Sequence, residues 1–135
     1  MVMMSAATGG AAARVFADHH GLSIVTTDFT LGEAKQKVSI LIARYGLDPD
    51  SVADVLNALP ILVYPRQEYE SHLEQAHRYI GRRDKKDVQL LALVLKLGIP
   101  VWSHDKVFDD APVVRYTTGR LLNELEPRQK DPGSP

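Results

Sequence analysis

Arg83-Asp84-Lys85-Lys86-Asp87-Val88-Gln89-Leu90-Leu91-Ala92-Leu93-Val94-Leu95-Lys96-Leu97-Gly98-Ile99-Pro100-Val101-Trp102-Ser103-His104-Asp105 is the stretch on which the fold turns. Asp84 to Leu97 reads as a helix that is apolar almost all round, the pattern of a helix wedged in the interior rather than lying on the surface. Gly98 caps it, and Ile99–Ser103 follows as a short strand. The segment thus opens on two acids, crosses the core, and ends on a third acid just past the strand.

Working outward, the same alternation recurs. Ala11–Asp18 reads as a helix after the Gly9-Gly10 break, and Leu22–Thr27 as a β-branched strand. Leu31, Ala34, Val38, Leu41, Ile42 and Tyr45 set a helical spacing from Thr30 to Tyr45, closed by Gly46. Asp48-Pro49 is an N-cap with a first-turn proline, opening a helix that ends near Leu59. Ile61–Tyr64 gives a strand, Gln67–Ile80 an amphipathic helix, Val113–Thr117 a strand and Thr118–Leu125 a final helix. Strands alternating with helices predict a three-layer α/β/α domain with a parallel sheet, spanning residues 1–125. Residues 126–135 read as a disordered polar tail.

The 135 residues suffice for one domain, and 44% apolar with 24% charged residues is ordinary globular composition. With a formal net charge of −1, no global field draws the chain to nucleic acid or to anionic membrane. Any nucleic-acid contact then needs a local patch, for which Arg82, Arg83, Lys85 and Lys86 are the best candidate, with Arg66 and Arg78 in the neighbourhood. The same run also reads as a solvated corner between helices. The absence of cysteine excludes disulfides and thiolate metal sites and suits a reducing compartment, so a cytoplasmic location is expected. No apolar stretch is long enough to span a bilayer. Met1–Ala13 lacks a basic start and is interrupted at Thr8-Gly9-Gly10, so it is not read as a secretory leader.

Topology brings acids together. In a parallel α/β sheet, helix N-termini and strand carboxyl ends share one edge, where such folds bind ligands. Glu33 lies in the first turn after one strand, Asp87 in the first turn of the apolar helix, and Asp105 just past the strand that helix feeds. Each also has a plain structural reading. Thr30-x-x-Glu33 and Asp84-x-x-Asp87 match capping boxes, and Asp105 suits a turn. Clustered carboxylates are costly without a neutralising cation, and an all-oxygen set suits Mg²⁺ or Mn²⁺. The histidines show no ligand spacing for zinc. His104 adjoins Asp105, with contact to a substrate as the lesser of its readings.

The run Arg83–Leu93, followed by Gly98–Phe108, resembles the second half of PIN-domain ribonucleases, in which a D-x-x-D helix start leads to an apolar helix, a strand and a T/S-x-D-x-x-F segment. Thr26-Thr27-Asp28-Phe29-Thr30-Leu31-Gly32-Glu33 resembles that family's entry into the helix carrying its glutamate. The resemblance covers about Ser5 to Tyr116. It implies a metal-dependent endoribonuclease, a hydrolase cutting single-stranded RNA by attack of a metal-bound water. By motif position it carries over Glu33, Asp87 and Asp105 as catalytic and metal-holding residues, Asp84 as a further metal residue and Ser103 as an orienting hydroxyl. It also implies a VapC-like toxin of a toxin–antitoxin pair, with an antitoxin protein and a homodimer as partners.

One part of the family pattern is displaced. The family opens with a central strand carrying its first aspartate, whereas Val2-Met3-Met4-Ser5-Ala6 resembles only the residues after that acid. The expectation is that this strand lies upstream of Met1 in a longer reading frame, or that Met1–Ala7 or a partner chain fills its place. The competing reading is a catalytically silent PIN-like module that binds RNA or a protein partner. A receiver-like or phosphatase-like domain, using Asp28 after its first strand, is a further alternative.

Overall fold

The computed structural model describes residues 11–19 and 22–125. The displaced opening strand and the polar tail both fall outside those residues. Among them, α1 (Ala11–Asp18) leads to β1 (Ile24–Thr27), α2 (Asp28–Tyr45), α3 (Pro49–Ala58) and β2 (Ile61–Tyr64). Then come α4 (Arg66–Tyr69), a 3₁₀ turn at Glu70–His72, α5 (Leu73–Ile80), α6 (Val88–Leu97) and β3 (Val101–Trp102). A second 3₁₀ turn at Lys106–Asp110, β4 (Arg115–Tyr116) and α7 (Thr118–Leu125) complete the chain. Short parallel strands among helices make this the expected α/β fold.

The apolar helix lies where its composition dictates. Val88, Leu91, Ala92, Leu93 and Val94 of α6 are all buried, and Leu91 is 0% exposed. They form one cluster with Tyr69, Ala76 and Ile80 from α4 and α5, Val101 of β3, and Val107 and Phe108 of the second 3₁₀ turn. Gly98 ends α6 at φ +65° with its N–H donating to the Val94 carbonyl, a left-handed cap that only glycine takes without strain. That cap turns the chain into β3. At Gly81 the constraint is steric, since a Cβ there would stand 2.4 Å from the His77 ring.

The strands pair in two separate ribbons. β1 lies parallel to β2 with Ile24 opposite Ile61 and Thr27 opposite Tyr64. β3 lies parallel to β4 with Val101 opposite Arg115 and Trp102 opposite Tyr116. Among the described residues no strand joins the two ribbons.

Three local expectations are corrected. α2 starts at Asp28, two residues before Thr30, because Thr27 is its N-cap and accepts the Thr30 N–H at 2.9 Å. The helix expected from Asp84 starts at Val88, because Asp84 instead accepts the N–H groups of Lys86 and Asp87 at 2.9 and 3.2 Å and folds a turn. The Gln67–Ile80 helix is broken just after Tyr69, whose buried hydroxyl donates to Asp28 Oδ1 at 2.6 Å.

Leu91→Ala should lower stability by about 2–5 kcal/mol in urea denaturation, because the surrounding core cannot collapse around the lost volume. Leu62→Ala, at a β2 position 60% exposed, should change it by less than about 0.5 kcal/mol. Similar losses for both would mean that the core is not centred on α6.

A candidate metal centre

Three carboxylates converge at the edge where α6 begins and β3 ends. One oxygen from each of Asp84, Asp87 and Asp105 lies within 4.8 Å of the others. Each arrives by a different local device. Asp84 is fixed by the turn it caps. Asp87 is the residue before α6, with no capping bond from its own side chain. Asp105 N-caps the 3₁₀ turn, accepting the Val107 N–H at 3.0 Å, while its own N–H donates to Ser103 Oγ at 3.1 Å.

The loop under Asp105 is tied down from β4. Arg115 Nη1 donates to the Ser103 carbonyl at 3.3 Å, and Arg115 grips Asp109 with two bonds of 2.9 and 3.2 Å. Ser103 therefore orients the acid beside it. Thr118 Oγ1 accepts from Trp102 Nε1 at 3.0 Å and lies 3.1 Å from His104 Nε2, which turns His104 toward α7.

Like charges this close do not ionise independently. Burial pushes the Asp87 carboxyl up to about 8, helped by hydrogen bonding and repulsion from Asp105 and Asp84. Asp105 moves below the usual carboxylate range, held first by the Val107 N–H and then by its bond with Asp87. Asp105 thus keeps the negative charge while Asp87 keeps the proton. A divalent cation at this point would replace that proton. The donor set is all oxygen, and none of the three acids forms an ion pair with Lys or Arg among the described residues, so the residues fit a hard cation.

Glu33 is apart from that trio. It lines the same cavity of about 620 Å³ as Asp84, Asp87, Ser103 and Asp105, but is not one of the three clustered acids. With Thr27 as the N-cap of α2, Glu33 does not close the capping box expected with Thr30. Asp28 is engaged elsewhere, accepting from Tyr69 and from the Phe29 N–H at 2.7 Å. Its carboxyl is lowered chiefly by the Tyr69 hydroxyl, whose own pKa is pushed up to about 12 by burial and by Asp28. In the basic run, Arg83 is paired with Asp110, Arg82 and Lys85 are exposed, and Lys86 lines the cavity. Lys37 of α2 also lines it and was not singled out from the sequence, where it reads as an ordinary surface lysine.

A PIN-domain family model matches residues 2–126, nearly the whole chain, and the protein belongs to the PIN-domain family, which has a nuclease-type fold. No curated protein and no solved structure gives a significant match. Among the described residues no helix is long and apolar enough to cross a membrane.

The cation-free protein should lose stability as pH rises between about 4 and about 8. The folded state holds a proton on Asp87 over that interval, whereas the unfolded state has released it. Asp87→Asn should flatten this slope and raise cation-free stability at pH 8 by about 1–3 kcal/mol, read as a higher urea midpoint. Equal midpoints at pH 8 would contradict the protonation assigned here.

Proposed function

We propose that this PIN-domain protein is a metal-dependent endoribonuclease acting on single-stranded RNA, with Mg²⁺ or Mn²⁺ as its cofactor. The observation that supports it is the convergence of Asp84, Asp87 and Asp105 within 4.8 Å at one end of an open cavity. When bound, such an ion supplies charge neutralisation at a phosphodiester and acidifies water.

The chain's own residues supply the rest of the reading. Asp87 and Asp105 hold the cation, with Asp84 as the third oxygen donor. Glu33, across the same cavity, stands where a fourth carboxylate takes up a proton or widens the donor set. Ser103 keeps Asp105 aimed by accepting its N–H. Arg82, Lys85 and Lys86 flank the acidic point and attract the phosphate backbone on either side of the scissile bond, and Arg83 contributes while bound to Asp110. Residues 1–125 serve in this reading as one domain in the cytoplasm.

The toxin role rests on a different surface. α3 buries none of its residues, and Ile40, Tyr45, Val55 and Leu62 are large exposed apolar side chains on α2, α3 and β2. Exposed apolar side chains of this kind suit a protein partner, an antitoxin or a second copy. A second reading, a catalytically silent module binding RNA or protein, draws support from Glu33 standing outside the three-acid cluster.

Purified protein with Mn²⁺ should cut single-stranded RNA, and chelation should abolish the cutting. Asp87→Asn or Asp105→Asn should reduce the rate by more than about 100-fold, beyond the roughly 10–100-fold typical of residues that only support a ligand. Cutting that survives both substitutions and chelator would sink the nuclease reading, and salt-sensitive binding without any turnover would favour the silent one.

Lys85→Ala should weaken RNA binding similarly across sequences and reduce the slope of log affinity against log salt by about 0.7 for a single-strand phosphate contact. An unchanged slope would return the basic run to a solvated corner.

A further inference from the structure

One guanidinium brackets the loop that carries Asp105. Arg115 of β4 donates through Nη1 to the Ser103 carbonyl at 3.3 Å, and grips the Asp109 carboxylate through Nε at 2.9 Å and Nη2 at 3.2 Å. Ser103 precedes Asp105, and Asp109 follows it in the 3₁₀ turn that Asp105 caps. Both ends of the loop are therefore tied to the same side chain. The other polar groups of Ser103 are engaged as well. Its N–H donates to the Tyr116 carbonyl at 3.0 Å, and its Oγ accepts the Asp105 N–H at 3.1 Å. Asp105 in turn accepts the Val107 N–H at 3.0 Å, a bond that reports which way its carboxylate points.

We propose that Arg115 is a positioning residue for Asp105: by closing the Ser103–Asp109 loop it holds that carboxylate toward Asp84 and Asp87, and Asp109 balances its charge so that the clamp does not repel a cation. What Asp105 is held there for rests on the reading of the three acids as a metal centre. The hold itself does not, and it can be measured on the cation-free protein.

The residue type is what such a clamp needs. A planar fork fixes several N–H groups at set angles, so it can hold a carboxylate through two bonds and still reach a carbonyl, whereas a lysine ammonium is a point charge on a flexible stem. The surroundings make the grip effective. The Arg115 side chain is only 15% exposed, and its backbone is braced by Arg120, whose Nη1 donates to the Arg115 carbonyl at 3.0 Å while the guanidinium lies over the Tyr116 ring. The nearby Arg83–Asp110 pair makes an instructive contrast. Its side chains are 66% and 35% exposed, so water and salt screen it. Among the described residues, moreover, Arg83 makes no side-chain bond to Ser103 or to the Asp105 backbone.

Charge is the other half of the device. A bare guanidinium beside the acids would repel a divalent ion, and the Asp105 charge does reach Arg115. Arg115 is held above its usual range first by its bond to Asp109, with the attraction of Asp105 a smaller contribution. Asp109 is held below the usual carboxylate range chiefly by that same bond. The two side chains thus form a charge-balanced pair, which fixes the loop while adding little net field next to the trio. Asp109 in this arrangement is a balancing group as well as an anchor, which accounts for an acid so near the cluster that is not part of it.

Arg115→Lys keeps the charge and removes the fork. In the cation-free full chain, residue-resolved hydrogen exchange at the Val107 amide should become about tenfold faster, while the α6 amides of Leu93 and Val94 keep their rates. Mn²⁺ affinity, read by titration, should fall about tenfold, the lower end for groups that orient a ligand from behind. Asp109→Asn should weaken Mn²⁺ binding by a similar factor, and its gap from the unsubstituted chain should narrow as salt screens the exposed Arg115 charge. Unchanged Val107 exchange in Arg115→Lys would overturn the proposal. Equal acceleration at Val107 and Leu93 would do the same, since that is a general loosening of the fold, and so would an unchanged Mn²⁺ affinity in the lysine variant. A gap indifferent to salt would overturn the balancing role of Asp109. An unsubstituted chain that takes up no Mn²⁺ would end the metal reading alone, with Val107 exchange still deciding the clamp. Should Arg115→Lys not fold, the same exchange measurement on Asp109→Asn, which loses the two-bond grip, decides it by the same outcomes.

Discussion

A helix with no polar face has to be surrounded, and the rest of this structure follows from that requirement. α6 buries five of its ten residues completely enough to belong to the core, and its neighbours come from every part of the chain. α4 and α5 cover one flank, β1 another, and β3 with the Val107–Phe108 turn closes the end. Each fully buried leucine or valine stabilises by about 1.5–3 kcal/mol, so the cluster around α6 is the dominant attractive term available. It also fixes where the chemistry sits. The residue immediately before such a helix is carried to the core's margin, where it is half-buried whatever its identity, and here it is Asp87.

That placement explains the charge state of the site. A carboxyl at the core margin resists ionisation, and two more acids beside it add to the resistance. The chain responds by dividing one proton unevenly, with Asp105 charged because its backbone turn solvates it and Asp87 neutral because its surroundings do not. Backbone N–H groups hold Asp84 and Asp105, with the Arg83 charge adding a smaller attraction to Asp105.

The nearness of Asp87 and Asp105 was legible in the sequence because it rests on topology, and topology survives errors of a residue or two in element boundaries, whereas Asp84 was named only by motif position and stands in the cluster in place of Glu33. The details were less legible where short-range polar bonds compete with helix formation. Thr27 and Thr30 are equally good caps by type, and only the tertiary tie between Asp28 and buried Tyr69 selects Thr27. Asp84 reads as an N-cap until its oxygen is seen to accept from Lys86 and Asp87, which postpones the helix to Val88. Glu33 was grouped with the aspartates by sheet edge and by motif position, and neither brings side chains within ligand distance. The division into two ribbons among the described residues was not legible, because strand pairing leaves no local mark in composition.

Acids are abundant at this end of the molecule, and what distinguishes the candidate ligands is what the others are already doing. Asp109 is held by Arg115, Asp110 by Arg83, and Asp28 by the Tyr69 hydroxyl and the Phe29 amide. Each of those bonds has a structural consequence: fixing β4 under the Ser103 loop, anchoring the basic corner, or locking α2 to α4. Asp84, Asp87 and Asp105 have no Lys or Arg ion-pair partner among the described residues, and Glu33 and Glu124, which line the same cavity, do not join their cluster. A protein gains nothing in stability from such an arrangement. Three carboxyl groups so placed are an arrangement that a hard divalent cation would neutralise.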